Sequence, residues 1–347
     1  PRYSSSAASD VYKRQELQRI EPVVATHDFA GAIEYSDAFL FDNDARFVFG
    51  FVREAPHRGA CAVNYVRALT PRLTDDEWSI DAKDEITGHA LGIRAKCLVN
   101  ACGPHADEFN ALAGTSTRHR HVLSKGVHLI VEKLSEDDRV LASFASDGRL
   151  FFAIPMGDRT CLGTTDTRTD NPDLGVTPDD RRFILDNINT RLDLPHPLSE
   201  DDVIAERCGV RPLVVDGERG AGDGDFLSLS RRHVVEANPS RRTMTIFGGK
   251  LTDCLNVGEE VCDAAAGQSV GLTSRTSWYG EPETPVREAF VARAKTDGLD
   301  RLTAPGAGEP LSARLWRRYG RDAPDLGRRL ASEPSSAQPV IEGTAYS

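Results

Sequence analysis

Apolar positions recur along this chain with two periods, and the period separates helices from strands. Val48, Phe51, Val52 and Ala55 fall at helical spacing from a start at Asp44, and Gly59 supplies a stop. "CAVNYV" (61–66) then reads as a strand, so strand, helix and strand follow one another from Gly31 onward. Between Trp78 and Ile93 short alternating segments broken by "TGHALG" predict a β-meander. "CLVNACG" (97–103) is almost continuously apolar, the pattern of a strand buried on both faces in a parallel sheet.

A β-rich region covers about residues 120–235, with strands expected in "GVHLIVEK", "RLFFAIPMGDRTCLGTT" and "DFLSLSRRHVVEA". Thr177-Pro178-Asp179-Asp180 predicts a helix start within it: a hydroxyl N-cap, proline in the first turn, and acids at the positive end of the dipole. Beyond about residue 275 the chain turns Arg-rich and helical around "LSARLWRRYGRDAPDLGRRL". The alternation defines an α/β fold.

At 347 residues two domains, or one plus a partial one, are the natural expectation. A formal net charge of -11 argues against general nucleic-acid binding, because phosphate backbones reward clustered positive charge. No apolar run approaches the roughly 18 residues of a spanning helix, which leaves peripheral membrane contact open. Seven scattered cysteines form neither a C-x-x-C nor a paired Cys/His spacing, so reduced thiols are expected rather than a disulfide scaffold or a metal site. Residues 1–19 begin with a Ser/Ala-rich stretch without a signal-peptide core and are expected to be a disordered leader.

Several stretches carry candidate chemistry. "GERGAGDGDF" (217–226) imitates a phosphate loop, but its acids would repel phosphate, so it reads as a solvated hairpin loop. No G-x-G-x-x-G follows a strand. "VNACGPHADEF" (99–109) reads as a strand, a tight turn at Gly103-Pro104 and a helix, where free backbone groups can meet a ligand. Basic residues gather on the β-rich strands: Arg118, Arg120, Lys125 and His128 on one, Arg207 and Arg211 on another, Arg231 and Arg232 on a third. Arg211, in "CGVRPLV", sits among apolar neighbours, where a guanidinium wants an anion or a carboxylate. His128 alternates with Val127 and Leu129 and is either a satisfied core histidine or an active-site group. "GTTDT" (163–167) adds hydroxyls and one carboxylate. "IFGGKLT" (246–252) ends a strand in paired glycines, which permit close backbone approach, and puts the charge of Lys250 beside them.

In order, "GAIEYSDAFLFDNDARFVFGFVREAPHRGACAVNYV", "VNACGPHADE", "LSKGVHLIV", "FAIPMGDRTCLGTTDT", "GVRPLV", "SRRHVVE" and "GGKLT" resemble the FAD-dependent glycerol-3-phosphate dehydrogenases, within the D-amino-acid-oxidase-like flavoproteins. The resemblance implies hydride transfer from sn-glycerol 3-phosphate to FAD, giving dihydroxyacetone phosphate, with electrons passing to a quinone. It implies Arg211 and Arg231 on the substrate, His128 near the reacting carbon, and Lys250 beside the reacting centre. Ala68, Asn100, Ala101, Gly103, Gly248, Gly249, Leu251 and Thr252 would line the cofactor. It also implies a location on the cytoplasmic face of a membrane, and leaves a homodimer open.

Against the family pattern, His105 stands where Trp is usual and Cys102 where Thr is usual. Asp253 puts a carboxylate near the helix end expected to face the flavin. The resemblance divides the chain into a partial FAD-binding Rossmann-like domain (41–118 and 245–272), a β-rich substrate domain (20–40 and 119–244) and the start of a helical cap (273–347). It further implies that the glycine fingerprint lies before residue 20 in the family, so the chain is expected to be a piece of such an enzyme whose own activity is open. Another FAD-dependent oxidase of amino or 2-hydroxy acids, or a non-catalytic anion-binding fragment, are the competing expectations.

Overall fold

A computed structural model describes residues 10–27, 29–36, 44–217, 232–268, 270–271, 283–305 and 307–338. Arg231, the loop 218–226 and the beginning of "DFLSLSRRHVVEA" lie outside the described residues. In chain order the elements are β1 (Asp10–Lys13), α1 (Arg14–Ile20), β2 (Gly31–Glu34), α2 (Asp44–His57), β3 (Val66–Thr74), β4 (Glu77–Asp84) and β5 (Ala90–Ala95). Next come β6 (Leu98–Asn100), α3 (Ala106–Leu112), β7 (His119–Glu132), β8 (Leu141–Phe144), β9 (Leu150–Met156), β10 (Arg159–Gly163), β11 (Thr167–Thr169) and α4 (Pro178–Arg191). The rest are β12 (Ala205–Asp216), β13 (Val234–Asn238), β14 (Thr243–Phe247), α5 (Cys254–Gly267), α6 (Thr284–Asp297), α7 (Leu311–Tyr319) and α8 (Ala323–Ser332).

Two compact units emerge: Pro1–Ala38 with Tyr65–Leu272, and Phe39–Asn64 with Thr273–Ser347. Three expectations need correction. Residues 10–19 are not a leader, because Asp10–Lys13 pairs antiparallel with Gly31–Glu34 and α1 follows. Residues 41–64 group with the C-terminal helices rather than with residues 65–118, against the expectation of one domain over 41–118. "CAVNYV" forms no strand before Val66; Val63 and Tyr65 are exposed, and Tyr65 takes a φ of 56° that breaks an extended run.

The spine of the larger unit is β7. One edge pairs antiparallel with β10 through residues 128–132 and with β11 through 123–125, while the other edge pairs with all twelve residues of β12. Beyond β10 the sheet continues through β9 to β8. Because side chains alternate along a strand, Val127, Leu129 and Val131 share one face. With Phe151 and Leu162 they pack on Ile184, Leu185 and Ile188 of α4. Each such fully buried side chain contributes about 1.5–3 kcal/mol. Thr177 and Asp180 form the expected capping box at the start of α4.

The part of this unit around β6 and β14 has a different logic. Strand β14 pairs parallel with β6 in the register Thr245↔Asn100, and antiparallel with β13. A short apolar run yields only three strand residues in β6, and Val99 is 41% exposed, so burial on both faces is not realised. Each of the parallel strands feeds a turn and then a helix, β6 into α3 and β14 into α5. Parallel pairing brings both turns to the same end of the sheet, where open α/β sheets bind ligands. The meander β3–β4–β5 packs on this part through Trp78, whose indole donates to the Arg241 carbonyl at 3.0 Å.

In the second unit, Phe290, Leu311, Leu315 and Trp316 build the core, with the Phe290 and Trp316 rings stacked at 5.8 Å. Arg53 of α2 donates to the Tyr319 carbonyl at 2.8 Å and pairs with Asp322 at 3.2 Å. Among the described residues no helix is long and apolar enough to cross a membrane.

Candidate active site

Opposite the face packed on α4, register places Ser124, Gly126 and His128 of β7 on one face with Arg207, Gly209 and Arg211 of β12 and Gly163 of β10. Residues directly opposite in an antiparallel pair point the same way. The candidate side chains His128 and Arg211 lie over glycines. A Cβ on Gly126 would stand 2.3 Å from the Arg211 guanidinium nitrogens, and one on Gly163 would stand 2.6 Å from His128 Cδ2. Only hydrogen leaves room for them.

Arg211 is fixed from a third strand end. Its Nη2 donates to the Thr164 hydroxyl at 2.9 Å and its Nη1 to the Thr165 carbonyl at 3.3 Å, so "GTTDT" holds the guanidinium. His128 is half-buried, and burial together with the charges of Arg211 and Arg207 lowers its pKa to about 4. A histidine held neutral between two arginines marks a face built to receive negative charge. Lys125 does not belong to it. Its ammonium lies on the α4 side, 2.5 Å from Asp180, with both side chains less than a tenth exposed.

At the other end of β7 stands the glycine turn. Gly248 and Gly249 have φ of 60° and 99°, conformations that favour glycine. A Cβ on Gly248 would meet Val214 Cγ2 at 2.3 Å and the Arg232 carbonyl at 3.0 Å, and one on Gly249 would meet His233 Cβ at 3.1 Å. The paired glycines thus let the turn approach the protein's own strand β12, three positions from Arg211. His121 of β7 accepts the Gly248 N–H at 3.1 Å. Lys250 and Thr252 are exposed, Leu251 is half-buried, and residues 251–253 form a single 3-10 turn that runs into α5.

Asp253 does not leave a bare negative charge at the start of α5. Its carboxylate accepts from Asn256 at 2.5 Å and from His233 Nδ1 at 2.5 Å, which hold it below the usual carboxylate range. A cleft of about 470 Å³ next to it is lined by Arg232, His233, Asp253, Glu259, Glu260 and Asp263. Four carboxylates against one arginine and one histidine make that cleft hostile to phosphate.

In the neighbouring turn, Asn100 is buried and its amide is spent on structure, donating to the Ala106 carbonyl at 2.8 Å and to Asn110 at 2.7 Å while accepting the Cys102 N–H at 3.2 Å. It shapes the turn and offers no side-chain donor to a cofactor. Gly103 takes a φ of 55° with open space where a Cβ would point, and Ala101 and Cys102 are exposed, so this turn presents bare backbone. His105 turns toward Glu108 (3.6 Å) and Asp173 (3.8 Å). Ala68 lies on β3 at a bulge, exposed and opposite Ala82. Sequence reasoning missed His121 and His233 as site residues; nothing in "HRHVL" or "SRRHVVE" shows that register brings both to the glycine turn.

Two strand-to-helix turns side by side at the carboxyl ends of parallel strands, with a cationic sheet face in the same unit, are chemically suited to anionic ligands. The FAD dependent oxidoreductase family matches residues 3–252, and the chain belongs to that family. Among individual proteins, it is 32% identical over 332 residues to the mitochondrial glycerol-3-phosphate dehydrogenase of Bos taurus, covering 90% of this chain and 45% of that protein. It is 30% identical over 352 residues to glycerol-3-phosphate dehydrogenase 2 of Mycobacterium bovis, covering 96% of this chain and 56% of that one. The chain therefore spans about half the length of the curated relatives it matches. The glycerol-3-phosphate dehydrogenase from Bacillus halodurans, solved in complex with FAD, superposes with a TM-score of 0.73 at 26% identity over 94% of this chain and 63% of that one.

Proposed function

We propose that this chain supplies the substrate side of an FAD-dependent oxidation of sn-glycerol 3-phosphate to dihydroxyacetone phosphate. The observation that carries this reading is the Arg211–His128 face: a guanidinium held in place by Thr164 and Thr165, next to an imidazole kept neutral. Arg211 takes the phosphate, and Arg207 adds positive charge on the same face. Arg231 is a second candidate for the phosphate. His128 accepts the C2 hydroxyl proton, which eases departure of the C2 hydride.

An imidazole whose pKa burial and two arginines lower to about 4 is a weak base, and the substrate counters the arginines' share of this. A phosphate dianion beside Arg207 and Arg211 offsets the charges that depress His128, so its basicity rises when substrate is in place. Lys250, Leu251 and Thr252 in one turn and Ala101 and Gly103 in the other fit FAD by their exposure, backbone conformation and position at helix starts, with Ala68 as an outlying candidate. When bound there, the flavin supplies the hydride acceptor. Gly248, Gly249 and Asn100 serve by shaping these turns. The same reading hands the electrons to a quinone at the inner face of a membrane, with the chain attached peripherally.

The test adds FAD to the purified chain, then glycerol 3-phosphate without oxygen, and follows the visible absorbance. Bleaching by glycerol 3-phosphate and not by lactate or glycine is expected, with Arg211→Ala raising the half-saturating substrate concentration about 100-fold. Bleaching by lactate or glycine instead would replace the phosphate by a carboxylate substrate. Full colour with all three would sink the proposal.

A further inference from the structure

We propose that His121 and His233 are positioning residues for the Gly248–Thr252 turn, holding it from two sides in opposite protonation states, so that it is in place only while His121 is neutral and His233 is a cation. The consequence for FAD rests on the reading above. The hold on the turn does not.

His121 is 7% exposed, and its Nε2 accepts the Gly248 N–H at 3.1 Å. A ring nitrogen that accepts a hydrogen bond carries no proton, so the neutral ring has its hydrogen on Nδ1, which is buried without a partner. Protonating Nε2 would break the bond to Gly248 and bury a charge against the Phe247 ring, 5.0 Å away edge to face. Across β12 its neighbour is Val214, which is apolar. The charged group facing it is Asp107 of α3, whose carboxylate accepts the His121 backbone N–H at 2.8 Å. Burial lowers the His121 pKa, and Asp107 opposes that only in part.

His233 presents the reverse chemistry. Nδ1 meets Asp253 at 2.5 Å and Nε2 meets Glu260 at 3.0 Å. Carboxylates only accept, so both ring nitrogens must donate, and only the imidazolium has two N–H groups. Arg232, Glu259 and Asp263 line the same cleft, and Lys250 acts on Asp253 from the turn. Burial alone would lower the His233 pKa, but the bonds to Glu260 and Asp253 outweigh it and raise it. The clamp reaches the turn twice, through Asp253 in the 3-10 segment and through van der Waals packing of His233 on Gly249.

The two requirements enclose a pH window. Below it His121 gains a proton and releases Gly248; above it His233 loses one and releases Asp253 or Glu260. Glycine-selective 15N labelling of the full chain reads this directly, as the amide shifts of Gly248 and Gly249 followed from about pH 4 to about pH 9. Two steps are expected, one on each side of the ordinary imidazole value of about 6.5. His121→Gln keeps an acceptor that does not titrate and should abolish the acidic step. His233→Arg keeps a two-donor cation and should abolish the alkaline one. FAD affinity should fall about tenfold on leaving the window in the unaltered chain and stay level on the side each variant repairs.

Amide shifts that stay constant across the range, or steps that persist in both variants, would overturn the proposal. Two steps that each vanish in their own variant, with no FAD bound at any pH, would uphold the positioning role and overturn the cofactor reading alone. Far-UV circular dichroism of each variant checks that a lost step reflects the side chain and not unfolding.

Discussion

The two faces of β7 carry the same kind of residue to opposite ends. Lys125 and Arg211 are both cations on apolar strands, and Arg211 pairs with Ser124, the neighbour of Lys125. Lys125 turns toward α4 and is consumed by Asp180, whose second task is the capping box with Thr177. Arg211 turns the other way, where a threonine hydroxyl and a carbonyl help to orient its guanidinium on the face it shares with His128. Lys125 is thereby structural, whereas Arg211 is the half-buried cation that the proposed function gives to the substrate phosphate. One step of the register between β7 and β12 separates the two.

The sharpest way to break that comparison is Lys125→Ala. It leaves Asp180 as an uncompensated charge in a site less than a tenth exposed, and a loss of about 3–5 kcal/mol in chemical denaturation is expected. The double change Lys125→Met with Asp180→Asn should recover most of it. A loss below about 1 kcal/mol for the single change would mean that water reaches the pair.

On the opposite face the corresponding effect is a pH dependence. His128 has a folded pKa of about 4 against 6.5 for the free side chain. Between those values the unfolded chain binds the extra proton, so the stability tied to the neutral ring is present above about pH 6.5 and is lost as pH falls through about 4, up to about 3 kcal/mol. Denaturation of His128→Asn, which does not titrate there, should lack this component. Imidazole NMR should show the His128 pKa near 4 in the free protein and higher with glycerol 3-phosphate present. A value that ignores substrate would separate His128 from the phosphate.

These contrasts mark how far the sequence could be read. The helix over α2, the cap at Thr177 and the meander followed from local spacing and turn chemistry, which act over a few residues. Motif order carried the family. Which face each cation took did not follow, because Lys125 and Arg211 sit in similar apolar surroundings and only the register between β7 and β12 assigns their sides. Likewise the glycines of "GGKLT" signalled a close approach, but the approaching groups, Val214 and His233, lie 34 and 16 residues before Gly248 and Gly249 and meet them only after the sheets have formed. Long-range pairing of this kind leaves no mark on local periodicity.

The finest probe of the site face is Gly126→Ala. The added methyl would stand 2.3 Å from two guanidinium nitrogens, and because these end a flexible side chain the methyl displaces Arg211 rather than the strand. Displacement takes Arg211 away from the Thr164 hydroxyl and the Thr165 carbonyl, both of which help to aim it. The strand itself accepts alanine more readily than glycine, so the denaturation midpoint should hardly move. Phosphate or glycerol 3-phosphate binding, measured by calorimetry, should weaken about tenfold, the cost of roughly one misdirected charge-assisted hydrogen bond. Undiminished binding would show that the anion is held elsewhere than over Gly126. A lost fold would show that the glycine serves packing alone, and Arg211 would then join Lys125 as a structural cation.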